Sequence, residues 1–300
     1  MKKTQMLFTG IACLAITASF CQNEINVQNS TIKKRKLKVV DAAIAPGMTF
    51  HVSPLGSFSD FQRINPKSVL LNENMDGYTL SNGFMASAGP TFSANLGFNI
   101  ANKAKTEYKS NTQLRIGITF SEISMSNYLS KTDRKRFDTL TSSQTGQMVF
   151  SDSVTHSSYT MNYKTQQLRI DVSIIYRTNP AARWSVFGGI GIEAGESIMA
   201  YTDINHSEYS TVTPANSTSG TSYNTNTPYR SERIINKNTY GYATYLPMGV
   251  DFRIGNKREF FKQLHVFYEA RPFVNYTYIP ELGSINSVGI KSALGLRVTI

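Results

Sequence analysis

Residues 84–100 hold a two-residue alternation. Phe84, Ala86, Ala88, Pro90, Phe92, Ala94, Leu96, Phe98 and Ile100 are apolar, and the residues between them are small or polar except Met85. An ordinary strand runs about 5–6 residues, so one solvent must border one face of this segment for an unusual distance. The pattern recurs at 114–120, 168–176, 184–194, 240–254, 264–274 and 288–300, with a weaker run at 44–52. Each run predicts a strand with one apolar and one polar face. Several reach the length of about 9–11 residues that crosses a hydrocarbon layer when tilted.

The apolar rows could meet either a protein core or lipid, and the connections favour lipid. Long segments (55–82, 126–162, 202–238) and a medium one (277–287) alternate with short ones (101–112, 178–183, 255–262). Outer-membrane barrels show this asymmetry, with long loops outside and short turns in the periplasm. Tyr176 and Trp184 flank one short turn, while Tyr201, Tyr240, Tyr242, Tyr276 and Tyr278 sit near the opposite strand ends, as two aromatic girdles would. In lipid every backbone polar group must be paired, which requires closure. The expected fold is therefore all-β: a closed antiparallel up-and-down transmembrane barrel of eight strands over 41–300. A channel of ten or more strands, with the long segments supplying the extra ones, is the rival.

The N-terminus changes the picture next. Lys2 and Lys3 precede an apolar run from Met6 to about Phe20, too short for a membrane span and flanked as a secretory signal is. The domains expected are a signal peptide over 1–21, a basic periplasmic segment over 22–40 carrying KKRKLK, and the barrel. Cys21 is either removed with the signal or retained as a lipidated cysteine. With removal, no cysteine remains, because the other of the two is Cys13. That leaves no disulfide, thiol nucleophile or zinc–thiolate site. No later run of 18 or more apolar residues occurs, so a helical membrane protein is excluded.

The net charge of +11 could suggest nucleic acid, but no basic helix or nucleic-acid motif accompanies it. Charged residues are only 17% of the chain, below the ~25% of soluble domains. Many of them share the polar parity of the strands: Arg115, Arg169, Asp171, Arg177, Glu193, Asp251, Arg253, Glu269, Arg271, Lys291 and Arg297. The lumen of an eight-stranded barrel is just wide enough for side chains to fill. Both signs packed there form a hydrogen-bonded plug, since buried charge is tolerated only when paired.

As a whole, residues 40–300 resemble the outer-membrane β-barrels of Gram-negative bacteria, particularly the small barrels of the Bacteroidota. The resemblance rests on SFCQNE at the end of the signal, the strands GPTFSANLGFNI and HVFYEARPFVNY, and the terminal SVGIKSALGLRVTI. It implies an outer-membrane location. It also implies a last strand read by barrel-assembly machinery, though Ile300 stands where a terminal aromatic is commoner. Membership of a surface or secretion complex is a further implication. Asp138-Thr139-Leu140 and Asp152-Ser153-Val154 resemble O-glycosylation acceptors of those bacteria, at Thr139 and Ser153 in one outer loop.

Other chemistry is sparse. His51, His156, His206 and His265 have no metal-ligand spacing, and no cofactor is implied. His265 shares the inner parity of Glu269 and Arg271 and reads as an interior hydrogen-bonded histidine. GGIGIEAG (188–195) lies within a strand and opens no helix, so its glycines relieve crowding in a curved wall rather than bind phosphate. Lys131, Arg134, Lys135 and Arg136 fall in an outer segment at the height of lipopolysaccharide phosphates, which Arg pairs well. The polar stretch 210–230 reads as a surface loop. The function expected is non-enzymatic: a structural or interaction protein displaying loops, with outer-membrane lipid and lipopolysaccharide as surroundings and no nucleic-acid partner. A small-solute porin, a lipid-modifying hydrolase and a soluble lipid-binding barrel are the alternatives.

Overall fold

The computed structural model describes residues 37–52, 57–80, 86–100, 110–141, 146, 148–178, 182–214, 229–255 and 259–300. The expected signal peptide, most of the basic segment and residues 215–228 lie outside them. Among the described residues eleven strands are formed: β1 (Leu37–Val52), β2 (Thr79–Leu80), β3 (Ala86–Ile100), β4 (Ser110–Thr141), β5 (Met148–Thr178), β6 (Trp184–Pro214), β7 (Arg230–Ile235), β8 (Tyr240–Tyr245), β9 (Met248–Arg253), β10 (Leu264–Ile279) and β11 (Gly283–Thr299). All pairings are antiparallel, and β1 pairs with both β3 and β11, from Asp41↔Thr299 to Val52↔Val288, so the sheet closes.

The wall has eight strands, because β8 and β9 are one strand interrupted at Leu246-Pro247. Both halves lie between β6 and β10 in the same register, with Tyr245 opposite Gly191 and Phe273, and Met248 opposite Gly188 and Ala270. The interruption has a chemical cause: Pro247 and the neighbouring Pro272 have no N–H to donate. Their carbonyls still accept, from Gly189 N (2.9 Å) and Leu246 N (3.0 Å).

The alternation sorts the faces as lipid requires. Ile44, Ile116, Ile170, Ile190, Val250, Leu294 and their row-mates are exposed on the outside, while Arg169, Asp171, Glu193 and Glu269 are almost wholly buried within. Trp184 lies outside against Phe252 (4.5 Å) at the turn end, where Tyr176 is also exposed, and Tyr240, Tyr242 and Tyr278 are exposed near the other end. A closed, even-stranded ring with an apolar exterior and a polar interior is a membrane barrel of the outer-membrane type. The chain is an outer-membrane protein.

Three of the expected connections are corrected. Residues 126–162 are not a loop: β4 and β5 continue paired to Thr141↔Met148, strands of 32 and 31 residues. Most of the described part of 202–238 is likewise strand, as β6 runs on to Pro214 and β7 pairs beside it. The 277–287 connection shrinks to a tight turn at Pro280–Leu282. The upper halves of β4, β5 and β6, with β2 and β7 at the margins, thus form a sheet raised above the ring.

The described part of the long connection between β1 and β3, residues 57–80, folds inward. Helix α1 (Phe58–Ile64) starts at a capping box: Asp60 N donates to Ser57 Oγ (3.2 Å), and Ser57 N donates to Asp60 Oδ2 (2.8 Å). Its Phe61 and Ile64, with Leu70 and Leu71, pack on Met125, Leu129, Tyr159, Met161, Tyr163, Ala200, Ile204 and Ile279. The upper interior is therefore an apolar core covered by a lid, and the expectation of a polar lumen holds only below it.

Candidate functional site

Side chains fill the lumen in tiers. At the turn end, Asp251 accepts from Arg297 Nε (2.8 Å), from His265 Nδ1 (2.5 Å) and from Arg177. Asp41 accepts from Arg297 Nη1 (3.2 Å) and Gln113 Nε2 (3.0 Å). Above this lies a small apolar tier of Ala43, Ala45, Phe187 and Phe267, with the Arg177 and Arg115 guanidiniums 5.1 and 5.9 Å from the Phe187 ring centre.

The middle tier carries most of the charge. Arg115 grips Glu269 with two hydrogen bonds (2.7 and 3.1 Å), a bidentate geometry that fixes both groups. Arg271 bridges Glu269 to Asp171 (2.8 Å to the latter), and Asp171 also accepts from Tyr245 OH and Thr119 Oγ1. Glu193 pairs with Lys291 and lies 3.7 Å from Arg169, which donates to Gln167 and to Asn275 (2.6 Å). A void of about 10 Å³ lies at the middle tier, against Ala45, Glu269, Arg271 and Lys291, and one of about 20 Å³ lies between that tier and the lid, beside Ile123 and Tyr163; each leaves room for about one water.

Ten of the eleven charged residues expected on the lumen face are thus brought together. The exception is Arg253. It is half-buried at the last position of β9, opposite His265, and its guanidinium forms no ion pair with another described residue. Sequence reasoning missed Asp41, Gln113 and Asn275. Asp41 shares the parity of Ala43 and Ala45, so extending the weak first strand three residues upstream would have found it.

The raised sheet carries the second candidate site. No register shift interrupts β4–β5 pairing from Ser110 to Arg136, so inner and outer parity persist beyond the ring. Lys131, Asp133 and Lys135 continue the lumen face, whereas Arg134 and Arg136 continue the lipid face. Backbone parity thus assigns the four expected cations to two faces, although the Arg136 side chain, at the end of the regular pairing, also lines the inner groove with Lys131 and Lys135. Arg136 and Arg134 both reach Asp152 (3.1 and 3.9 Å). Thr139 is exposed on β4, and Ser153 is half-buried on β5 between paired neighbours on both sides. Both are strand residues, not loop residues as expected.

Lid and raised sheet are joined by a charged latch. Glu73 accepts from Arg230 (2.9 Å to Nη2) and from Tyr159 OH (2.5 Å), and Tyr159 stacks on His206 at 4.2 Å. The Arg230 hydrogen bond holds the Glu73 carboxyl below its ordinary value. Burial, helped by the Arg230 charge, pushes His206 down toward the neutral form. Glu232 adds a second tie, accepting from Ser68 Oγ (2.6 Å) and the Leu70 amide (3.2 Å). Among the described residues no three His, Cys, Asp or Glu side chains gather as a metal site needs.

No protein-family model matches the chain, and no curated protein does. Solved structures with similar folds include Neisserial surface protein A, at 11% identity and TM-score 0.31, over 87% of this chain and 97% of that one. Ail, the attachment invasion locus protein of Yersinia pestis, in complex with the heparin analogue sucrose octasulfate, matches at 11% identity and TM-score 0.24, over 87% and 99%. The outer membrane protease OmpT of Escherichia coli matches at 10% identity and TM-score 0.24, over 92% and 99%.

Proposed function

We propose that the protein is a non-enzymatic outer-membrane barrel that does not conduct solutes and serves to display its raised sheet and lid at the cell surface. The observation that supports this is the filled interior: two tiers of paired charge and an apolar core lie one above another, and the voids beside the middle tier and the core are water-sized. A solute would have to separate buried ion pairs, and breaking such a pair costs about 3–5 kcal/mol. Protein reconstituted in planar bilayers should therefore give no large, stable conductance steps. Regular steps would restore the porin reading.

In this role β11 is the strand offered to barrel-assembly machinery, and the raised sheet is what a surface or secretion complex would meet. In this reading Arg134, on the outward face, and Arg136, at the sheet's end, would contact lipopolysaccharide phosphates in competition with Asp152. Charge reversal at both should lower the lipopolysaccharide that copurifies with the barrel. Unchanged copurification would remove this contact from the proposal.

A further inference from the structure

Above the membrane the inner face of the raised sheet is a grid. Lys131, Ser157 and Glu208 lie side by side across β4, β5 and β6; Asp133, Thr155 and Ser210 form the next row; Lys135 and Ser153 begin a third. The central column is thus three hydroxyl residues, flanked by charges. The lid supplies a wall from Asn74 and Tyr78, Arg136 lines the far end, and the half-open groove measures about 530 Å³, within the ~300–1,000 Å³ of ligand sites.

We infer that this groove binds a short acidic saccharide. The inference rests on the reading of the raised sheet as displayed outside the cell. Three features select the ligand. A column of hydroxyls can exchange hydrogen bonds with sugar hydroxyls as donor or acceptor. Tyr78 offers a ring over which a sugar can lie, with Lys131 Nζ 6.0 Å from its centre. Lys131 is occupied by Asp133 at 3.1 Å, but Lys135 has no ion-pair partner among the described residues and is free to meet an acid group.

A peptide fits less well. Under the groove β5 is paired on both sides and offers no edge, so strand addition among the described residues is open only at the outer edges of β4 and β6, away from the hydroxyl column. The lining also holds no apolar notch for side chains.

The test uses the full barrel in lipid nanodiscs, titrated with tetragalacturonate, neutral maltotetraose and a tetraglutamate peptide. Tetragalacturonate should bind, weaken with salt, and outcompete the other two by at least tenfold. Lys131→Gln with Lys135→Gln, both at solvent-reached positions, should raise its Kd about tenfold while heat-modifiable gel mobility stays normal. Equal affinity for the neutral sugar, preference for the peptide, no binding, or no effect of the double variant would each overturn the inference. Displacement of the probe by lipopolysaccharide would identify the acid sugar as the cell's own surface glycan, and absence of displacement as one from outside; both uphold the site. Surface display is read separately, by impermeant maleimide labelling of Met148→Cys at the exposed end of the hairpin in intact cells. The groove can then fail while display stands.

Discussion

Glu269 holds two guanidiniums at once, Arg115 and Arg271, and is 1% exposed. Neutralising it as Glu269→Gln keeps the shape but leaves two buried cations short of an anion. Removing one partner of a buried pair costs about 3–5 kcal/mol, so the urea midpoint for loss of heat-modifiable mobility should fall sharply. Arg253→Gln, at the half-exposed rim, should change stability by no more than about 0.5 kcal/mol. Equal effects would mean that the lumen pairs do not hold the wall. The parity of Arg115 and Glu269 was legible in the sequence, because a period of two assigns each to the polar face. Their partnership was not. They stand 154 residues apart and meet only because the ring closes with a particular stagger, which no local pattern encodes.

At the scale of elements, the missed features share one physical cause. Alternation of apolar with polar residues reports lipid on one side, and above the membrane that contrast ends although strand pairing does not. In β4 the outward row passes from Leu114, Ile116, Ile118 and Phe120 to Ser130, Thr132 and Arg134, while the inward row turns apolar at Met125 and Leu129. The pattern looks lost because both faces have changed solvent. The glycines of 188–195 were legible, since a Cβ on Gly189 or Gly195 would lie about 2 Å from a backbone oxygen of β5, Ile174 O or Leu168 O.

The lid is the element whose behaviour should depend on pH. Its latch contains two groups with lowered values, Glu73 and His206. In both, the folded state binds fewer protons than the unfolded state, so docking is strongest at high pH. The His206 contribution should be complete above 6.5, its ordinary value, and fade as pH falls through the lower folded value. The Glu73 contribution should be complete above 4.5 and fade below it. Hydrogen exchange at Leu70 and Leu71, corrected for its intrinsic pH dependence, should show lost protection in these two windows, and Glu73→Gln should abolish the lower one. Protection that is flat from pH 8 to 3 would show that the apolar core alone seats the lid.

For the whole molecule, two closures are stacked, a charge tier within the ring and an apolar core above it, and truncation can separate them. Replacing 125–163 by Asn-Gly joins Ser124 to Lys164, which are already paired, through a turn suited to a two-residue hairpin. The wall below keeps every pairing from Ser110↔Thr178 to Ser124↔Lys164. The lid loses Met125, Leu129, Tyr159, Met161 and Tyr163 from its core. Because lipid demands only that the ring be closed, the truncated barrel should still insert and show heat-modifiable mobility, while 57–80 becomes open to protease. It should also remain non-conducting, since Glu269, Asp171, Glu193 and their cations lie below the cut. A conducting truncation would move the seal to the lid. Failure to insert would show that the raised sheet and ring fold as one unit.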